Sequence, residues 1–359
     1  MHKKFSFYNP VKIIYGDNFI DSLKKTVGNE KILLITSEGH NARGVVGKIT
    51  QNISNIVHIC CEIKSYPEFE ILNKIYEELK GVKFDLILAV GGGSVIDSAK
   101  YLSVSNNNEN TTYKFVEDIT RKGLAHERYQ IKPIIAIPTT AGTGSEITPW
   151  ASIWDMGERK KYSLCLPDLF PKVAIYDPNL TLTVPKDVTI QTGLDVLSHA
   201  LESIWNRNSN PISTTFAIAS AKTVLEYLPK LKLNSYEYRD KLMTASLNAG
   251  LAFSNTKTAI AHAISYYITA NYGVPHGIAC SFTIPQIINA IKGKYEYVDR
   301  ALDSIFKNYN VELFFNRLNI STNLNDYLSN KKDILRLVES VSKNERINNS
   351  LVSINELIG

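Results

Sequence analysis

Asp195 and His199 stand four residues apart in GLDVLSHALE, a spacing that puts a carboxylate and an imidazole on one face of a helix. His262 in TAIAHAIS and His276 in VPHGIA are, with His199, the only histidines after residue 126. Three imidazoles and one carboxylate suit a divalent transition metal, Fe(II) or Zn(II). As a pair, Asp195 and His199 read equally as half of a metal site or as ordinary buried helix residues, and the other two histidines join them only where the fold brings them together. Glu202, one turn beyond His199, reads as support behind a ligand or as a solvated carboxylate.

A second kind of chemistry is suggested earlier in the chain. AVGGGSVIDSAK (89–100) sets Gly92, Gly93 and Ser94 between an apolar run and an amphipathic one. Glycines let a pyrophosphate approach the backbone, and a helix start offers free N–H groups and a positive dipole end. The loop is not the G-x-G-x-x-G fingerprint, and a tight turn without a ligand would look similar. IPTTAGTGSEIT (137–148) adds the hydroxyls of Thr139, Thr140, Thr143 and Ser145 after the next apolar run. Asp97, inside the first motif, is grouped with these cofactor-binding residues. After KILLIT (31–36) the chain carries Ser37 where an acidic residue would bond a ribose 2′-OH. Serine tolerates a 2′-phosphate and Arg43 is near in sequence, which leans the cofactor from NAD(H) toward NADP(H); a turn-capping Ser37 is the plainer alternative.

These residues need elements to position them. KILLIT, DLILAV (85–90), PIIAIP (133–138) and KVAIYD (172–177) read as buried strands, with amphipathic helices over 68–80 and 94–105 between them. Repeated strand–helix–strand order predicts a doubly wound, Rossmann-like parallel sheet with helices on both faces. FSFYNPVKIIYG, near the start, reads as a strand with a turn, a hairpin added to the sheet edge. From Asp187 onward the pattern is helical, including 194–205, 214–231 and 238–255, so the expected division is an α/β dinucleotide-binding domain over 1–177 and an all-α metal and substrate domain over 178–359. SNNNENTT (105–112) and LNDYLSNKKD (324–333) read as exposed loops.

Composition limits the alternatives. The 359 residues are 44% hydrophobic and 21% charged with a net charge of +5, a globular balance without the basic runs that track nucleic acid. No stretch reaches the roughly 18 apolar residues of a membrane span. Without a signal-like start, a cytoplasmic location is expected. Cys60, Cys61, Cys165 and Cys280 show no C-x-x-C spacing, so neither a disulfide framework nor a thiolate metal site is expected.

Together, GGGSVIDSAK, PTTAGTGSE, DPNLT (177–181), TGLDVLSHALES and PHG (275–277) resemble, in order and spacing, the iron-containing (group III) alcohol dehydrogenase family. The resemblance implies the dehydroquinate synthase-like architecture of that family and Fe(II) held by Asp195, His199, His262 and His276. It implies a cofactor-proximal Lys161, in KKYS, and a homodimer paired through the N-terminal edge strand. The commoner members carry a second histidine four residues after the third ligand, where this chain has Tyr266, a poor proton shuttle near neutral pH. The segment 254–277 is similar to the phosphonoacetaldehyde reductase (hydroxyethylphosphonate dehydrogenase) branch.

The expectation is therefore metal-dependent, NAD(P)H-linked reduction of a small aldehyde to a primary alcohol, with phosphonoacetaldehyde as substrate and protonation through Tyr266 or water. An anionic substrate needs a cation; Lys257, five residues before His262, is the candidate, with Arg159 and Arg207 behind it. Lys257 reads equally as a solvated helix-end lysine. The alternatives are a general dehydrogenase for lactaldehyde, propanediol or short alcohols, a dehydroquinate synthase-like cyclase and a non-catalytic nucleotide-binding subunit.

Overall fold

Six short runs rich in Ile, Leu and Val form one parallel sheet: β1 (Lys12–Tyr15), β2 (Ile32–Ile35), β3 (Ile56–Cys60), β4 (Leu86–Gly91), then β7 (Ile134–Pro138) and β10 (Val173–Tyr176). Two antiparallel pairs, β5 (Val104–Asn106) with β6 (Tyr129–Ile131) and β8 (Trp150–Asp155) with β9 (Lys160–Cys165), complete the strands. The structure is a computed structural model and describes residues 4–16, 18–106, 112–123, 128–328 and 330–358. The chain divides into two compact units, one of Pro10–Thr140 with Ser145–Thr181, the other of the residues up to Asn9, Ala141–Gly144 and Leu182 onward.

In the first unit the sheet order is β1-β10-β7-β4-β2-β3. The inner strands β2, β4, β7 and β10 are buried along their whole length, the mark of parallel strands covered on both faces. Alternation sends Leu33, Ile35, Ile87 and Ala89 to one apolar layer and Ile32, Leu34, Leu88 and Val90 to the other. The helices of this unit are α1 (Phe19–Thr26), α2 (Glu38–Ala42), α3 (Val45–Thr50), α4 (Phe69–Glu78), α5 (Gly93–Ser103) and α6 (Tyr113–Lys122). Strand order reverses between β2 and β4, the topological switch point at which such sheets take dinucleotides.

Two expectations need correction here. The start of the chain is not a hairpin: β1 is a single edge strand parallel to β10, and a parallel partner cannot be reached through a tight turn. The residues before it pack instead in the second unit, where Phe7 stacks on Phe216 at 6.0 Å. The segment 324–333 is not a plain loop either. A 3₁₀ turn covers Leu324–Asp326, and Asn330 caps a helix over Lys331–Ser342 by accepting from the Asp333 amide, a use of asparagine that helix starts favour. Of SNNNENTT, residues 107–111 lie outside the described residues; Ser105 and Asn106 end β5.

The second unit is helical, and among the described residues no strand follows β10. Its elements are α7 (Lys186–Ile204), α8 (Pro211–Tyr227), α9 (Tyr236–Thr256), α10 (Ile260–Tyr272), α11 (His276–Ala279), α12 (Ile284–Ile291), α13 (Glu296–Phe306), α14 (Val311–Arg317), α15 (Lys331–Ser342) and α16 (Asn355–Ile358). Helix α7 is buried on all sides from Gly193 to Ile204, its polar residues included. No helix among the described residues is long and apolar enough to cross a membrane.

One buried cation fixes the loop after β7. The Lys100 ammonium, on α5, donates to the carbonyls of Ser145 (2.6 Å) and Trp150 (2.7 Å) and to Ser145 Oγ (3.1 Å). Asp97, one turn earlier, accepts from Ser145 Oγ and from the Ser152 amide (2.9 Å). Burial pushes Lys100 down to about 8, while Asp97 and Glu146 pull the other way. Lys100→Met keeps the apolar stem but strands two buried carbonyls and the Asp97 carboxylate. We expect it to cost roughly 3 kcal/mol or more in urea unfolding, the scale for breaking a buried pair; an unchanged midpoint would mean that the network carries no stability.

Candidate metal centre

Three imidazole Nε2 atoms converge on one carboxylate oxygen. Asp195 Oδ1 lies 3.3 Å from His262, 3.7 Å from His199 and 3.9 Å from His276. Asp195 and His199 share a face of α7, His262 sits in the first turn of α10, and His276 opens α11. Two ligands bound tetrahedrally at 2.0–2.1 Å stand roughly 3.3 Å apart, so these separations fit one ion. All four residues lie in the helical unit. Asp195, His199 and His262 are buried and His276 is half-buried.

The hydrogen bonding behind His262 settles which donor faces the centre. Glu202, wholly buried, accepts from the amides of Ala259 (2.9 Å), Ala261 (2.6 Å) and His262 (3.3 Å), and its Oε2 lies 2.7 Å from His262 Nδ1. Burial opposes its ionisation, but His262 and the amides outweigh that and hold its carboxyl below the usual range. A carboxylate there assigns a hydrogen to Nδ1, and, against its burial, Glu202 with Asp195 on the other side pushes His262 up to about 10. Nε2 is buried and makes no hydrogen bond, although Asp195 Oδ1 faces it at 3.3 Å. Two buried carboxylates flanking this imidazole demand positive charge between Nε2 and Asp195 Oδ1, which a proton or a divalent metal supplies, so the residues fit such an ion. Asp195 is likewise held well below the carboxylate range, since the three histidines outweigh its burial. Glu202 is therefore a buried partner of His262 and is not solvated.

A thiol stands beside the centre, though not as a thiolate. Cys280, one helical turn after His276, is buried with Sγ 3.4 Å from Asp195 Oδ1 and from the Gly277 carbonyl. Its sulfur stands within 4.8 Å of the ligand atoms of Asp195, His262 and His276. Burial and the Asp195 and Glu202 carboxylates push the thiol far up, so the sulfur keeps its hydrogen and donates it to Asp195. The search for C-x-x-C could not find this residue; its i, i+4 spacing from a ligand could have. Next to it, Gly277 is required by close approach, because a Cβ there would stand 1.8 Å from the Gln191 carbonyl of α7.

Aromatic rings wall the centre. His199 stacks on Phe253 at 4.0 Å and on His262 at 4.6 Å. Tyr266 lies nearly parallel to His276, 12° and 5.9 Å apart, and its ring carries the Arg346 guanidinium at 4.7 Å. Sequence reasoning gave no sign of Arg346, which arrives from the turn Glu345–Asn349. Lys257 is exposed in the link from α9 to α10 with φ +65° and ψ 174°, a region that only glycine enters freely and that costs another residue about 1–3 kcal/mol. Hydrogen bonds hold it there: its amide donates to the Phe253 carbonyl (2.7 Å), and Asn206 Nδ2 donates to its carbonyl (3.1 Å). The two other cations considered, Arg159 and Arg207, lie respectively in the β8–β9 turn and hydrogen-bonded to the Ser350 carbonyl at 2.9 Å.

Of the expected cofactor residues, Ser37, Gly92, Gly93, Ser94, Thr139 and Thr140 follow the carboxyl ends of β2, β4 and β7. Thr36 Oγ1 donates to the Val90 carbonyl (2.7 Å), and the Thr139 amide to that of Gly91 (3.1 Å), so the three loops start side by side. Gly92, Gly93 and Ser94 open α5, and a Cβ on Gly92 would approach Thr140 to 3.2 Å. Ser37 does not cap α2 with its side chain; its hydroxyl lies 2.8 Å from His40 Nδ1. Asp97 is occupied by Ser145 and Ser152, and Lys161 on β9 lies 5.8 Å over the Trp154 ring. Thr143 falls in Ala141–Gly144, the part of the threonine loop that belongs to the helical unit. There a Cβ on Gly144 would press against Phe253, the ring stacked on His199.

Removing charge behind His262 tests the centre. Glu202→Gln can present an amide hydrogen to Nδ1, which turns the imidazole lone pair away from Asp195. We expect iron or zinc affinity, measured by chelator competition, to fall about 10–100-fold, as for other partners behind a metal-bound histidine. Unaltered affinity would remove Glu202 from the metal site.

Comparison with known proteins gives the family. Residues 10–178 match the family described as iron-containing alcohol dehydrogenase, and residues 189–356 the one described as Fe-containing alcohol dehydrogenase family, C-terminal. An NAD-dependent methanol dehydrogenase of Bacillus methanolicus is 32% identical over 292 residues, 79% of this chain and 74% of that protein. An aldehyde-alcohol dehydrogenase of Streptococcus pneumoniae is 31% identical over 293 residues, 78% of this chain, and the match spans only 33% of that longer protein. The structure of sulfoacetaldehyde reductase from Bifidobacterium kashiwanohense in complex with NAD+ is similar with a TM-score of 0.86 at 28% identity, covering 99% of this chain and 96% of the other. Both halves match in order, and the family's name states a metal that one carboxylate and three imidazoles suit: the chain belongs to the iron-containing alcohol dehydrogenase family.

Proposed function

We propose that this chain reduces a small aldehyde bearing an anionic head, phosphonoacetaldehyde, to 2-hydroxyethylphosphonate, with NADPH as reductant and Fe(II) at the centre. The observation that carries the reading is the convergence of Asp195, His199, His262 and His276 on one buried point. The choice of substrate is supported by Lys257, whose side chain is retained at a glycine-like backbone position. It is supported too by similarity to sulfoacetaldehyde reductase, a name that describes a two-carbon aldehyde with a sulfonate in place of the phosphonate.

When bound, the metal supplies a Lewis acid for the carbonyl oxygen and the nicotinamide supplies a hydride for the carbonyl carbon. The protein does the rest. The amides at the start of α5, with Gly92, Gly93 and Ser94, receive the pyrophosphate, and Thr139, Thr140, Thr143, Ser145 and Lys161 serve the cofactor around it. Ser37 sets no carboxylate against a 2′-phosphate, which favours NADP(H) over NAD(H). Phe253 and the stacked imidazoles keep water from the metal side. Water supplies the proton to the alkoxide oxygen beside Tyr266 Oη, which donates a hydrogen bond there, so that aldehyde, NADPH and a proton become alcohol and NADP+. The protein works as a homodimer formed along β1, which ends the sheet.

The second reading is a general dehydrogenase of short alcohols, favoured by the methanol dehydrogenase match. Anaerobic oxidation of NADPH and NADH by the iron-loaded protein separates the two. With phosphonoacetaldehyde, sulfoacetaldehyde, propionaldehyde and lactaldehyde compared, we expect kcat/KM to favour the phosphonate by about a hundredfold, roughly 2.7 kcal/mol of transition-state discrimination. Equal rates on all four would leave the general dehydrogenase, and no cofactor consumption with any would point to a different reaction.

A further inference from the structure

We infer that Arg346 and Lys257 together form the edge of the site that recognises the substrate's anionic head, with Arg346 as the principal cation. The inference rests on the anionic-aldehyde reading above and names the groups that would give it specificity. Arg346 approaches the centre through Tyr266: its guanidinium lies over that ring at 4.7 Å, and the ring in turn lies against the metal ligand His276 at 5.9 Å. A guanidinium on an aromatic face is held in one plane, and its fork matches two oxygens of a phosphonate or sulfonate as an ammonium does not.

The two cations share one frame. Arg346 Nε donates to Thr258 Oγ1 (3.1 Å), and Asn349 Nδ2, from the same turn as Arg346, donates to the Thr258 carbonyl (2.9 Å). Thr258 directly follows Lys257, so the turn that carries the guanidinium is fastened to the loop that carries the ammonium. That loop then enters α10, which presents His262 to the centre. A phosphonate near neutral pH carries between one and two negative charges, which two cations match; a neutral aldehyde needs neither. The strained backbone at Lys257 gains meaning here. Glycine would sit at φ +65° and ψ 174° without penalty, yet the chain keeps a long cationic side chain there.

The test compares Lys257→Gly, Arg346→Met and Arg346→Lys with the parent in the iron-loaded protein. Lys257→Gly is expected to raise Tm, because it relieves the backbone, and to lower the preference for phosphonoacetaldehyde over propionaldehyde. Arg346→Met is expected to lower that preference further, about ten- to a hundredfold, the worth of charged hydrogen bonds, and Arg346→Lys to restore part of it. Calorimetric affinity for 2-hydroxyethylphosphonate should fall in the same order, independently of turnover. A parent that prefers phosphonoacetaldehyde, with variants that keep the preference, overturns this inference and leaves the proposed substrate standing. A parent without the preference overturns both. Loss of iron and of both activities together in Arg346→Met and Arg346→Lys would make Arg346 a structural clamp and overturn its assignment.

Discussion

His262 Nε2 and Asp195 Oδ1 face each other at 3.3 Å, and the helical unit is built around the need for positive charge at that point. Burying acceptors without a positive partner costs several kcal/mol, and here the cost is multiplied by Glu202, a second carboxylate wholly buried behind the first imidazole. An ion at the centre turns the arrangement from liability to anchor, since its affinity becomes folding free energy. The polar residues that line α7 at 195, 199 and 202 interrupt an otherwise apolar interior helix for this reason. Each is answered across the packing, by α10, by α11 or by the link before α10.

The α/β unit meets a different constraint, that of leaving backbone donors unfilled for a ligand while keeping the loops rigid. Its answer is to fasten the loops from behind. Lys100 and Asp97 point back from α5 into the turn at Ser145–Ser152, so the first residues of α5 are left for anion binding while the helix body secures its neighbour. Asp97 thus holds the threonine loop through Ser145.

Legibility followed locality. His262 and His276 joined the ligand set through the resemblance to the family, since spacing alone does not bring distant histidines together, whereas Asp195 and His199 stood out as a pair because a helix repeats every 3.6 residues. Cys280 obeyed the same rule relative to His276 and was missed because the search was for paired cysteines. The inner strands announced themselves as unbroken apolar runs, whereas β1 was misread because its partner, β10, lies about 160 residues away and nothing local distinguishes a parallel edge strand from half a hairpin. Asn330 was a readable helix cap hidden in a polar stretch. Arg346 could not be read at all: its significance lies in a ring 80 positions earlier.

The backbone of Lys257 was equally invisible, since residue type does not disclose φ, and it exposes how the site is held together. Glu202 accepts from Ala259, Ala261 and His262, so the carboxylate that orients a metal ligand also fixes the loop immediately after Lys257. Asn206, one turn further along the same stretch, holds the Lys257 carbonyl. A loop pinned at both ends cannot relax to relieve one residue, which is how an unfavourable conformation persists there. Metal geometry and the placement of a charged side chain are therefore set by one rigid frame, and a change to either is felt by the other through Glu202.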